Sequence, residues 1–235
     1  MFYNSILKKD NRCTYYMVLD TETAVYDPTI KEIKGTNMLV YDLGYAIVDR
    51  YGRIYETGSF IVKDIFYNEI ERMRTCYFAD KRATYIQDIE KGLHTVVNWK
   101  NLVFLLEERL SYWNVRAICA YNAIFDYGAI CRTNNFVNGK YWKPPLLKKY
   151  PMWDIMKMTE DVLYKRPTYQ RFCFNNGNLT AHTPPRAQKK AETIKQYLEN
   201  NPMYKEVHTG LEDVYIESEI LAKCFSTHKK MRREL

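Results

Sequence analysis

Two carboxylates, Asp20 and Glu22, stand one residue apart at the end of an apolar run. The run begins at Tyr15 and predicts a buried strand, in which side chains two positions apart project from the same face, about 6.6 Å from each other. Two acids at the end of such a strand are costly unless a cation meets them, and hard divalent cations such as Mg²⁺ prefer carboxylate oxygens. The pair therefore indicates a metal site, and an exposed acidic pair is the alternative.

A second group of candidate residues follows the short apolar segment 116–121, which predicts a strand. Asn122 is placed to cap the helix that comes next. Asp126 then falls in the first helical turn, where the helix dipole favours an anion. A simple helix cap and a helix-start acid are the ordinary interpretations of these two residues, so neither indicates chemistry alone.

The third group consists of His208 and Asp213, which are five residues apart. On one continuous helix they would be rotated by about 140° and could not face one site. Gly210 predicts that His208 lies in the loop before the helix and that Asp213 lies in its opening turns. Glu217, one turn beyond Asp213, is expected to face solvent, and support of the site from behind its metal ligands is the alternative.

The elements that must position these residues begin with a β-meander. The β-rich runs 40–49 and 53–62 flank a short turn with Gly52 and predict a hairpin, which the strand 15–23 joins. Apolar residues recur at helical spacing between 86 and 113 and predict an amphipathic helix over about 99–112.

The later part of the chain predicts helices and one insertion. Residues 153–158 are compatible with a strand or with a helix start, and 211–222 predicts a helix. Turn and breaker residues over 164–185 predict an irregular or short-stranded insertion, followed by a basic amphipathic helix over 186–198 that ends before Pro202. This order predicts a mixed sheet with helices on its faces, in one domain.

Composition excludes several classes of protein. The 235 residues are 46% hydrophobic and 27% charged, which is ordinary for a globular protein. No apolar run approaches the roughly 18 residues of a membrane span, and the first ten residues lack the apolar segment of a secretory signal. The six cysteines are scattered without zinc spacing and predict reduced thiols. We therefore expect a cytoplasmic protein.

Positive charge is concentrated in one part of the chain. The net charge is +7, and residues 140–195 hold twelve Lys or Arg against four Asp or Glu. Such a concentration indicates a polyanionic partner, most simply nucleic acid, and a solvated basic face is the alternative. Aromatic residues make up 15% of the chain and suit base stacking, although tyrosine more often packs in a core.

Taken together, the three groups resemble the DEDDh, or DnaQ-like, 3′–5′ exonucleases of the ribonuclease H-like superfamily. The motifs at 20–22, 122–126 and 208–213 occur in the order of that family, and the hairpin 43–52 also matches it. The resemblance spans nearly the whole chain and implies an α/β fold with a mixed five-stranded sheet flanked by helices, strand two antiparallel to its neighbours. Residues 186–193 look like those of phage-encoded members.

The resemblance also implies the roles of site residues. Two Mg²⁺ or Mn²⁺ ions would be held by Asp20, Glu22, Asp126 and Asp213. His208 would be the general base, so that these five residues form the catalytic set. Contacts to the substrate would come from Thr23, Tyr26, Asn122 and Phe125, and core packing is the alternative for Tyr26 and Phe125.

The implied activity is metal-dependent 3′–5′ hydrolysis of single-stranded or frayed DNA to 5′-mononucleotides by a two-metal mechanism. The basic region 140–195 would hold the nucleic acid backbone. The whole chain, 1–235, would be a single exonuclease domain that carries a basic insertion at about 164–202. An exoribonuclease trimming RNA ends and a non-catalytic nucleic-acid-binding module are the alternatives. A polymerase or other replication partner is compatible with this activity, and a phage-encoded protein would work in the host cytoplasm.

Overall fold

The computed structural model describes residues 3–25, 38–76, 79–139 and 143–235. Its sheet is built from seven strands, which are β1 (Asn4–Ser5), β2 (Tyr15–Ala24), β3 (Leu39–Asp49), β4 (Ile54–Val62), β5 (Thr95–Val97), β6 (Ile118–Ala120) and β7 (Met152–Asp154). The strand order is β1-β4-β3-β2-β6-β7, and β5 pairs with β4 beside β1. β3 is antiparallel to both β2 and β4, whereas β6 and β7 continue the sheet in parallel with β2.

Ten α-helices surround this sheet in the described ranges. They are α1 (Lys63–Phe66), α2 (Ile70–Thr75), α3 (Arg82–Glu90), α4 (Trp99–Trp113), α5 (Ile124–Asn138), α6 (Pro145–Lys149), α7 (Ile155–Thr159), α8 (Pro167–Asn175), α9 (Ala191–Glu199) and α10 (Gly210–Ser226). A 3₁₀ turn at Ala79–Lys81 precedes α3, and a π-helical turn at Glu160–Tyr164 follows α7.

The predicted mixed sheet with flanking helices is confirmed, including the antiparallel second strand of the meander. The sheet has seven strands instead of the expected five, because β1 and β5 add to the outer edge of β4. These two strands have two and three residues, too few to produce an alternating pattern in the sequence. The segment 153–158 holds both of its predicted alternatives, since β7 ends at Asp154 and α7 begins at the next residue.

Alternation along β2 divides the core into two layers. Met17 and Leu19 face the layer that contains α4 and α5. Tyr16 and Val18 face the opposite layer, where α7, α8, α9 and α10 pack. Asp20 continues the second face. The strand therefore delivers this carboxylate beneath α10 at the point where its apolar run ends.

The expected irregular insertion contains one helix that was not predicted. α8 covers nine residues of 164–185 and starts with Pro167 at its first position, where the missing N–H costs nothing. Residues 176–185 are irregular, as predicted. α9 begins at Ala191, five residues later than the predicted helix start. Both helices are anchored to the core layer under α10, through Tyr169 and Ile194.

The last described residues lie along the outer edge of β7. The Asp154 N–H donates to the Arg233 carbonyl at 2.6 Å, and Trp153 forms a bridge with Glu234. Arg232 holds this segment in place through a 3.0 Å ion pair with Asp161. The edge strand is thus covered by the chain itself.

All six cysteines are free thiols. Within the described ranges, no helix has the length and apolar content that a membrane span requires.

Candidate active site

The site is built on a direct backbone contact between β3 and the start of α10. Gly44 pairs with Asp20 in the β2–β3 register, and a Cβ on Gly44 would lie 2.2 Å from the carbonyl carbon of Gly210. The Gly210 N–H donates to Asp42 Oδ2 at 2.9 Å, which fixes the first turn of α10 above the sheet. Two glycines therefore allow the helix to approach the strand closely enough to bring its acids to Asp20.

α10 supplies two acids from successive turns of one side. Asp213 lies in the first turn, and Glu217 follows four residues later, so that both side chains project in a similar direction. Together with Asp20 they line a cavity of about 470 Å³. The expectation that Glu217 faces solvent is wrong, since this residue is only 3% exposed.

Asp126 reaches β2 from the opposite layer. It lies in the first turn of α5, is 1% exposed, and its Oδ1 accepts hydrogen bonds from the Thr21 N–H at 3.1 Å and from Thr21 Oγ1 at 2.8 Å. These bonds hold the carboxylate against the end of β2, next to Asp20. Asp126 lies close enough to Asp20 to contribute to the raised pKa of Asp20 by electrostatic repulsion.

Asn122 does not cap α5 as expected. The cap position is Ala123, and Asn122 has a left-handed backbone with φ of 59°. Its carbonyl accepts from the Phe125 N–H at 2.8 Å, which makes a tight turn between β6 and the helix. The turn leaves the Asn122 side chain exposed at the cavity rim.

His208 lies in the loop before α10, as predicted, and also has a left-handed backbone with φ of 56°. Its Nδ1 is 3.8 Å from Asp213 Oδ2 and 3.8 Å from Glu206 Oε2. Lys81 Nζ donates to the carbonyls of Val207 at 2.7 Å and of His208 at 3.0 Å. The lysine therefore ties the histidine loop to the segment before α3.

Burial, together with repulsion between carboxylates, raises the pKa of the acids that converge at the cavity. This acidic cluster consists of Asp20, Glu22, Asp126, Asp213 and Glu217. The pKa of Asp20 lies well above its usual range, because the group is desolvated and Glu217 is the acid that acts on it most strongly. Burial raises the pKa of Glu22 to about 8, with a contribution from Asp42. In the absence of a cation, the cluster therefore retains protons at neutral pH.

Two further acids titrate near neutrality. Burial raises the pKa of Asp126 to about 7, against the effect of the Thr21 hydrogen bonds, which favour the charged form. Burial and the neighbouring Glu206 raise the pKa of Asp213 to about 7. For His208 the pKa shift is downward, because burial and the Lys81 ammonium both disfavour the imidazolium. Its ring is therefore neutral at neutral pH.

The donor atoms present fit a hard divalent cation. Glu22, His208 and Asp213 each place one potential ligand atom within 4.8 Å of the others. Among the described residues, Asp213 Oδ1 and Glu217 Oε2 are buried without a hydrogen-bond partner. Buried carboxylate oxygens without donors are costly, and a cation would remove that cost.

The structure thus brings together the five residues of the expected catalytic set. Asp20, Asn122, His208 and Asp213 line the cavity, while Glu22 and Asp126 adjoin it. Of the other expected substrate contacts, Thr23 and Phe125 are half-buried and are not among the described cavity-lining residues, and Tyr26 lies outside the described residues. Sequence reasoning missed two residues at the site, Lys81 and Glu206, and favoured the solvent-facing alternative for Glu217.

Only part of the basic region reaches the cavity. Lys189 and Lys190 lie on its rim, just before α9. Lys195, by contrast, is buried and pairs with Glu199 at 2.8 Å and with Glu219. The cavity therefore has acids at its base and cations at one side, an arrangement that suits a phosphate backbone beside a metal site.

A scan against protein-family models and a search of curated proteins give no match. Solved structures do match. The zinc-bound exonuclease I–ssDNA complex of E. coli has a TM-score of 0.53 at 16% identity over 92% of this chain. E. coli exonuclease I in complex with a dA16 oligonucleotide has a TM-score of 0.54 at 14% identity over 91%.

The chain spans about two fifths of these exonuclease I chains, 41% and 42% of their length. A 3′-exonuclease that recognises a histone mRNA stem-loop also matches, with a TM-score of 0.46 and 13% identity over 92% of this chain and 81% of that one. The exonuclease I matches show the fold: the chain has the α/β ribonuclease H-like fold.

Proposed function

We propose that the chain is a DEDDh-type 3′–5′ exonuclease that hydrolyses single-stranded or frayed DNA to 5′-mononucleotides. One observation carries the proposal: acids from β2, α5 and α10 converge with His208 around one cavity of a ribonuclease H-like sheet. The DNA-bound exonuclease I structures of the same fold support DNA as the substrate. The proposed unit is one domain over 1–235, with the insertion 164–202 packed on its core.

Asp20, Glu22, Asp126 and Asp213 would hold two Mg²⁺ or Mn²⁺ ions. When bound, such ions polarise the attacking water and stabilise the charge that develops on the leaving 3′-oxygen. The Thr21 hydrogen bonds orient Asp126, and the glycine contact orients Asp213 through α10. The hydrogen bonds from Thr21 and the close approach of two backbone segments thus position these metal-ligating carboxylates.

His208 is the proposed general base. Its neutral imidazole accepts the proton that the attacking water loses as the water oxygen forms its bond to phosphorus and the bond to the 3′-oxygen breaks. Asp213 and Glu206, each 3.8 Å from Nδ1, stabilise the imidazolium that results. The Lys81 contact with the loop carbonyls keeps the ring at the cavity.

Substrate contacts follow from the rim. Exposed Asn122 would hydrogen-bond the terminal nucleotide, and Lys189 and Lys190 would neutralise backbone phosphates, which makes binding salt-sensitive. Thr23, Tyr26 and Phe125 stay candidates for contacts with the terminal bases.

The test is to incubate the protein with 5′-labelled single-stranded DNA and with RNA of the same sequence, in Mg²⁺ and in EDTA. We expect a ladder that shortens from the 3′ end of DNA in Mg²⁺ alone, and no ladder with Asp20→Asn. Shortening of RNA but not of DNA would show that the protein is an exoribonuclease instead. Internal cleavage, turnover in EDTA, or intact DNA and RNA would refute the proposal.

A further inference from the structure

Glu217 is a buried acid that is not among the four proposed metal ligands, Asp20, Glu22, Asp126 and Asp213. It is 3% exposed and lines the cavity together with Asp20 and Asp213. Its carboxylate accepts the Tyr121 N–H, while Oε2 has no hydrogen-bond partner among the described residues. One oxygen of this side chain is therefore engaged by the end of β6 and the other is free at the cavity.

The same chain shows how a buried glutamate is satisfied when its role is structural. Glu56 is 1% exposed, and its two oxygens accept from the Tyr45 hydroxyl at 2.8 Å, Trp113 Nε1 at 3.0 Å and Arg109 Nη1 at 3.4 Å. A cation and two neutral donors thus offset the cost of burying that charge.

Glu217 lacks such an environment. The charges that act on it most strongly are those of Asp126, Asp213 and Glu206, all of which are acidic. Its position one helical turn after Asp213 directs it toward Asp20, on which it acts more strongly than any other acid. A divalent cation is the partner that would satisfy a free carboxylate oxygen facing other carboxylates.

We propose that Glu217 is a fifth carboxylate ligand of the divalent cation site, contributing Oε2 beside Asp20 and Asp213. The inference rests on the proposed function for the presence of that site and extends it by a ligand. A fifth negative charge at the cluster raises its affinity for divalent cations, because affinity follows the charge of the ligand set. With Asp213 and Glu217 both as ligands, α10 would contact the cation from two successive turns.

The test measures Mn²⁺ binding alone, by calorimetric titration of the full chain without nucleic acid. Glu217→Gln keeps the shape and removes the charge, and we expect it to weaken Mn²⁺ binding by roughly tenfold or more. Glu212→Gln is the matched control, since it removes the same charge from a more exposed position of the same helix. We expect binding by this control within about twofold of the original protein.

Thermal unfolding gives an independent readout. Glu217→Gln is expected to show a smaller rise in melting temperature on addition of Mn²⁺ than the original protein, because it has lost a ligand for the cation. Glu217→Ala serves as a second variant, because it leaves no polar group to rearrange in the cavity. It is expected to lose Mn²⁺ affinity to the same extent.

The outcomes separate this inference from the proposed function. Unchanged Mn²⁺ affinity in both Glu217 variants would overturn the inference, even if the original protein shortens DNA. Mn²⁺ binding that depends on Glu217 in a protein that leaves DNA and RNA intact would uphold the inference and refute the exonuclease. Absence of Mn²⁺ binding by the original protein would overturn both.

Discussion

Replacing Gly44 with alanine is expected to separate α10 from β3 and to slow cleavage roughly 10²-fold while the fold persists. The new Cβ would lie 2.2 Å from the carbonyl carbon of Gly210 and 2.3 Å from the Leu211 nitrogen, whereas ordinary contacts begin near 3.4 Å. Both are backbone atoms, so no side-chain rotation relieves the clash. The start of α10 must therefore move by about 1.2 Å, which carries Asp213 away from Asp20.

The expected size of the effect follows from that displacement. A misplacement of about 1 Å in positioned catalytic groups costs roughly 10²-fold in rate. Overpacking at the contact costs about 1–3 kcal/mol of folding free energy, which a domain of this size can tolerate. We thus expect Gly44→Ala to lose about 99% of its cleavage rate at temperatures where circular dichroism shows it folded.

The assay is the rate of shortening of 5′-labelled single-stranded DNA in Mg²⁺, measured well below the melting temperature of each variant. Gly177→Ala is the control, because Gly177 has φ of 69° and a Cβ at this position would meet no neighbouring atom within 4 Å. An alanine in this left-handed backbone conformation costs about 1–2 kcal/mol of folding free energy. Gly177→Ala is therefore destabilised to a similar extent as Gly44→Ala, but α10 does not move. Cleavage by Gly44→Ala at the original rate would show that the glycine contact does not position the acids.

Three further predictions concern charge. Asp20→Asn is expected to reduce cleavage to background and, in EDTA, to lose less stability than the original protein as the pH rises, because one buried acid no longer has to ionise; an unchanged pH dependence of the melting temperature would contradict the raised pKa. The raised pKa values of Glu22 and Asp213 mean that the folded state holds protons that the unfolded chain releases. The melting temperature in EDTA should therefore fall as the pH rises from about 5 to 8. A melting temperature that does not change over this range would argue against the acidic cluster. Lys81→Met removes a charge that lowers the pKa of His208, so the acidic limb of the pH–rate profile should move to higher pH; an unmoved limb would exclude His208 as the group that titrates.

The alternation of strands and the helical period were sufficient to predict where several site residues lie in their strands, loops and helices, whereas the family resemblance was needed to group them into one site. Asp20 and its strand face, the loop position of His208 and the early-helix position of Asp213 all follow from local patterns, and the structure confirms these positions. Glu217 could have been found in the same way, since a residue four positions after Asp213 shares its side of the helix. Solvent exposure was the wrong expectation because the sequence does not show that α10 lies so close to β3.

Other residues depended on tertiary contacts. Nothing near Lys81 in the sequence indicates that it binds carbonyls more than 120 positions later. Asn122 was assigned to a cap on its residue type, yet the turn after β6 places it in a left-handed conformation that moves the cap to Ala123. For α8 a local signal did exist, because Pro167 suits the first position of a helix, but the surrounding asparagines and prolines outweighed it.

The segment along β7 has a consequence for how this protein behaves in concentrated solution. An edge strand with open N–H and carbonyl groups is a template on which other chains can assemble into aggregates. Here the bond from Asp154 to Arg233 and the bridge from Trp153 to Glu234 occupy that template from within the same molecule. The ion pair between Arg232 and Asp161 therefore helps to keep this edge of the sheet closed to pairing with other chains.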